Sequence, residues 1–86
     1  ALEAATGECL ANAPMGIDGC SIPTYALPLK AWALAFARVA TGQGLSADHA
    51  RAAQRLRQAV ARSPFHVAGT GRFDTRVMER LGERVF

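Results

Sequence analysis

From Leu29 onward, Leu29, Trp32, Ala33, Phe36, Ala37 and Ala40 recur at helical spacing and share one face. Pro28 suits a first helical turn, where a missing amide donor costs nothing, so the pattern predicts a helix over 28–41. Ala31, Leu34, Ala35 and Val39 fill much of the remaining circumference, with Lys30 and Arg38 as the only charges, which predicts burial on most sides. Thr41-Gly42-Gln43-Gly44 ends this helix, and Ser46 is a natural N-cap for a second over 46–62, with Asp48 in its first turn. There Ala53, Leu56 and Val60 form the inward stripe, and Arg51, Arg55, Gln58 and Arg62 line the outer face.

Ser63-Pro64 stops the second helix, and the glycines of Phe65 to Arg72 predict a tight loop. Asp74 or Thr75 begins a third helix over 74–81, whose apolar side carries Val77, Met78 and Leu81. Arg84-Val85-Phe86 reads as the opening of a strand. At the other end, Ala1 to Thr6 reads as a last helical turn closed by Gly7. Residues 7–27 have no helical period and are broken by Pro14 and Pro23, so they predict a long irregular loop with one short strand at Met15–Ile17. Loops of that length are uncommon in compact domains and tend to be functional.

With 86 residues, half of them hydrophobic, the chain fits one small globular domain and no more. No apolar run is long enough for a membrane-spanning helix. The sequence begins with Ala1 rather than Met and has no signal-like leader, which suggests a piece of a longer product. Two cysteines, Cys9 and Cys20, are too few for a disulfide framework and lean toward a cytoplasmic protein. The net charge of +3, from nine arginines and one lysine against seven acids, permits anionic partners without demanding nucleic acid.

Asp18 and Cys20 sit two residues apart around Gly19, which allows a turn that aims both side chains at one point. Carboxylate and thiolate are both zinc ligands. Spacing alone does not make the pair a zinc site, because neither His49 nor His66 completes a ligand set. The ordinary alternative has Asp18 capping a turn and Cys20 as a small buried residue, and Cys9 reads the same way. His66, between Phe65 and Val67, reads as a partly buried, hydrogen-bonded histidine, and His49 as solvent-facing. Ser21, Thr24 and Ser63 have no neighbouring base. Ala68 to Arg72 lacks the lysine of a phosphate loop. The arginine stripe of the second helix allows a rival reading, a stand-alone basic helical module for nucleic acid or an acidic protein partner. Solvation accounts for the stripe as well, and Trp32 and Phe36 lie away from it.

Three phrases in order carry a resemblance: Gly16-Ile17-Asp18-Gly19-Cys20-Ser21-Ile22-Pro23-Thr24, then Ala26-Leu27-Pro28-Leu29, then Val67-Ala68-Gly69-Thr70-Gly71-Arg72-Phe73-Asp74-Thr75 with Met78 following. Together they resemble the bacterial asparaginase II family of L-asparaginases, over nearly the whole chain. The resemblance implies a mainly α fragment, with three main helices, a long active-site loop over 7–27 and short strand pieces, of an α/β serine β-lactamase-like fold. It also implies hydrolysis of L-asparagine to L-aspartate and ammonia by serines paired with lysines, and a zinc ion held by cysteine thiolates and a lysine. Cys20 then matches a zinc ligand, and Asp18 a ligand or a carboxylate that orients one. Asp18, Thr24, Gly69 and Arg72 are the expected substrate-binding residues. The family's serine and lysine motifs are missing here, and Ser63-Pro64 stands where members often have His-Pro. The expected segment is therefore inactive alone, with the remainder of a parent chain and L-asparagine as partners. Its apolar helix faces further suggest a homo-oligomer.

Overall fold

A computed structural model describes residues 1–85. The elements run α1 (Leu2–Thr6), β1 (Met15–Ile17), β2 (Pro23–Tyr25), α2 (Leu29–Thr41), α3 (Ala47–Arg62), α4 (Pro64–Ala68), α5 (Phe73–Leu81) and a 3-10 turn at Gly82–Arg84. The fold is mainly helical, with a single two-stranded antiparallel sheet among the described residues. Its radius of gyration is 14.4 Å, against about 12 Å for a compact domain of this length, so the elements spread rather than close on one centre.

α2 ends at Gly42, whose left-handed backbone lets its amide donate to the Arg38 carbonyl at 2.7 Å. Four residues on, the Ser46 hydroxyl accepts the His49 amide at 3.3 Å and starts α3. The buried apolar residues are small: Ala31 and Ala35 on α2, Ala53 on α3, and Met78 on α5. α2 packs on α1 and α3, and alanines one helical turn apart let backbones approach closely. The expected burial of α2 on most sides, led by Leu29 and Phe36, is thereby corrected. Leu29 is 83% and Phe36 61% exposed, because the close approach is made on the Ala31–Ala35 side, where such bulk does not fit. Leu56 on α3 is also exposed, whereas Ala53 is inside.

Three other segments depart from the sequence pattern. The long loop contains a second strand at Pro23–Tyr25, and Pro23 fits there because it is the first residue of a strand with one neighbour. Ser63-Pro64 does end α3 at Arg62, but the tight loop expected over Phe65 to Arg72 is corrected: Pro64 opens a short helix, α4, in whose first turn its missing amide costs nothing, and only residues 69–72 form the connection. The expected terminal strand is replaced by the 3-10 turn through Arg84, while Val85 is extended. Phe86 lies outside the described residues.

Candidate functional site

The hairpin pairs Met15 with Tyr25, Gly16 with Thr24 and Ile17 with Pro23. Its turn is closed by the Ser21 amide donating to the Asp18 carbonyl at 2.8 Å, and by the Asp18 amide donating to the Ile22 carbonyl at 3.0 Å. Gly19, Cys20 and Ser21 thus form a three-residue loop whose last member is left-handed, the arrangement that closes a hairpin with a one-residue bulge. That member is Ser21, with φ 66°. The expectation that Gly19 supplies the unusual backbone is corrected: Gly19 is not among the positive-φ glycines, and the reversal is completed two residues later.

This turn orients both candidate ligands. Asp18 Oδ1 accepts the Gly19 amide at 2.7 Å, which fixes the carboxylate plane. Asp18 Oδ2 then faces Cys20, whose Sγ donates to it at 3.7 Å. Both side chains are exposed, so Cys20 is not the small buried residue of the ordinary alternative. Sulfur and oxygen ligands at ordinary zinc distances and a tetrahedral angle lie about 3.6 Å apart, so the observed separation fits two adjacent corners of such a site. No group of three or more His, Cys, Asp or Glu able to hold a metal occurs among the described residues. Asp18 and Thr24 also line one open cleft of about 610 Å³ against the hairpin, with Tyr25 on its wall.

Gly69 and Arg72 lie in a different loop, between α4 and α5. Gly69 (φ 94°) and Gly71 (φ 67°) adopt backbone that side chains disfavour, which makes the four-residue connection possible. The Gly69 amide donates to the Phe65 carbonyl at 2.8 Å, and its carbonyl accepts the Thr75 hydroxyl at 2.6 Å. Arg72 is the N-cap residue of α5, with its carbonyl accepting the Arg76 amide at 3.1 Å and its side chain exposed. The structure brings Asp18, Cys20 and Thr24 together in the hairpin and Gly69 and Arg72 together in this loop. It does not join the two groups: among the described residues the hairpin packs broadly on no helix, and the cleft beside the hairpin and the one beside Gly71 have no lining residue in common.

His66 is exposed, its ring edge-on to Phe65 with centroids 5.4 Å apart, rather than partly buried. His49 and Cys9 are exposed as well. Arg51 pairs with Asp48 one turn away on the outer face of α3. Thr75 holds this loop from within α5, although the sequence shows it only as a helix-start candidate.

No curated protein matches this sequence. The sequence model of the L-asparaginase II family, by contrast, matches over residues 1–86. With the hairpin phrase and the glycine loop both inside that match, the chain belongs to the L-asparaginase II family.

Proposed function

We propose that this chain forms part of an enzyme that hydrolyses the side-chain amide of L-asparagine, giving L-aspartate and ammonia. The observation that carries the reading is the convergence of Cys20 Sγ and Asp18 Oδ2, 3.7 Å apart, in a chain matched throughout by the L-asparaginase II family. Cys20 and Asp18 hold one side of a zinc ion, and the other ligands come from a longer protein of serine β-lactamase-like α/β fold. When bound, zinc keeps the Cys20 sulfur as thiolate and places positive charge beside the substrate.

The remaining roles follow from the chemistry of the side chains. Arg72 presents a planar, always charged guanidinium, the best match for the substrate's α-carboxylate once the longer protein brings its loop and the hairpin to one site. Asp18 retains acceptor capacity on Oδ1 beyond the Gly19 amide, enough to receive the substrate's α-ammonium group. Thr24, on the same cleft wall, offers a hydroxyl that can donate to or accept from the amide. Gly69 lacks a Cβ, so substrate can approach its backbone closely. In the reaction the amide C–N bond is replaced by a C–O bond from water through an acyl-serine, and the nitrogen leaves as ammonia. The serines and lysines for that step belong to the longer protein, and the segment alone is inactive. In the same reading the exposed Leu29 face of α2 is covered by the remaining chain.

Ammonia release from asparagine by the full-length protein tests this directly. Cys20→Ser should lower zinc content and turnover together, with the fold intact. A full-length protein that leaves asparagine unhydrolysed, or a Cys20→Ser variant that retains both zinc and activity, contradicts the proposal.

A further inference from the structure

Thr75 is 4% exposed and is one of two buried polar residues among those described. It is the third residue of α5, yet its hydroxyl does not bond within its own helix. It reaches back six residues and donates to the Gly69 carbonyl at 2.6 Å. Gly69 is thereby held on both sides, its amide by the Phe65 carbonyl at 2.8 Å and its own carbonyl by Thr75. At the other end of the loop, the Arg72 carbonyl is held by the Arg76 amide at 3.1 Å. Between these anchors Thr70, Gly71 and the Arg72 side chain are exposed. Gly69 and Gly71 both have positive φ, and a Cβ built on Gly71 would meet nothing within 4 Å while one on Gly69 would meet only Arg72 Cγ at 4.0 Å. Such a connection is free to open unless tethered, and the buried hydroxyl is the tether.

We infer that Thr75 is a positioning residue for substrate: its buried hydroxyl fixes the Gly69 carbonyl and so sets where the Arg72 guanidinium meets the asparagine carboxylate. The inference rests on the proposed asparaginase reading, in which Arg72 binds substrate. It predicts a specific kinetic pattern, because a displaced Arg72 weakens ground-state and transition-state binding alike and leaves the bond-breaking machinery in place.

The test uses the full-length protein with three substitutions, Thr75→Val, Thr75→Ala and Thr75→Ser. Valine matches the shape of threonine without the hydroxyl, alanine removes both branches, and serine keeps the hydroxyl. The expected result is a KM for asparagine raised tenfold or more in T75V and T75A, with kcat changed less than threefold. T75S should return KM to within threefold of the parent. Amide exchange at residues 69–72 should accelerate in the two hydroxyl-free variants and stay slow in T75S. An active parent protein whose T75V or T75A variant keeps its KM overturns the inference while leaving the asparaginase reading intact. Failure of both hydroxyl-free variants to fold also overturns it, since Thr75 would then be a purely structural residue. A parent protein that does not hydrolyse asparagine removes the underlying reading instead.

Discussion

Arg38 donates from Nη1 to the carbonyl oxygen of Ala5 at 3.0 Å, joining α2 to the end of α1. The same nitrogen reaches the Ala4 carbonyl at 3.0 Å. These carbonyls belong to the last turn of α1, where a cation also complements the helix dipole. A Cβ built on Gly44 would meet Arg38 Nε at 3.1 Å, so the side chain also lies against the turn between α2 and α3.

Arg38→Met, which retains the stem and loses the donors, should therefore destabilise the fold by about 1–2 kcal/mol. Denaturant unfolding of the full-length protein measures this, and an unchanged midpoint would show that the two carbonyls are served equally well by water. Arg38→Lys should recover only part of the loss, since a single ammonium reproduces the contact less rigidly.

At the hairpin, Ser21 takes the left-handed backbone that glycine prefers, with φ 66°. Ser21→Gly should stabilise the turn by up to about 1 kcal/mol, while the β-branched Ser21→Val should weaken it by at least that much. Exchange of the Asp18 and Ala26 amides, which close the hairpin on the Ile22 and Pro14 carbonyls, reports both effects. Equal protection in the two variants would contradict the assignment of strain to this residue.

Asp18→Asn separates the turn contact of that side chain from its proposed place beside zinc. The amide oxygen can still accept from Gly19, so the turn should persist, whereas the lost negative charge should reduce zinc retention in the full-length protein by tenfold or more. Metal analysis after dialysis, read beside amide exchange in the hairpin, distinguishes these. Full zinc occupancy in the variant would remove Asp18 from the ligand set.

Two changes on α3 should differ in size. Ser46→Ala removes the hydroxyl that accepts the His49 amide and should cost about 1 kcal/mol. Arg51→Ala breaks a fully solvated pair with Asp48 and should cost less than about 0.5 kcal/mol. Unfolding midpoints that rank the two in the opposite order would mean that the outer face of α3 carries more of the stability than its exposure suggests.

How far the sequence could be read depended on whether the deciding interaction was local. Helix ends were legible at Gly42 and Ser46, because caps depend on a few adjacent residues. The side of α2 that packs inward was not, because Leu29 and Phe36 advertise an apolar face while the contact is made through Ala31 and Ala35. Which helix faces approach most closely is a property of the whole arrangement. In the candidate site, Asp18 and Cys20 were legible as a pair through their spacing, but the backbone reversal that aims them belongs to Ser21, a residue whose type gives no sign of it. Thr75 was illegible for the same reason: a hydroxyl near a helix start looks like a cap until its acceptor, Gly69, is seen.

The interior built from Ala31, Ala35 and Ala53 with Met78 has a calorimetric consequence. Unfolding such an interior hydrates few methylene groups, and the heat-capacity increment of unfolding follows newly wetted apolar area. For these helices by themselves the increment should lie well below the usual figure of about 12–15 cal/mol/K per residue, giving a flat stability curve and a gradual melt. Covering an exposed apolar side chain such as Leu29 would raise that increment and sharpen the melt, since both follow the apolar surface that unfolding newly wets.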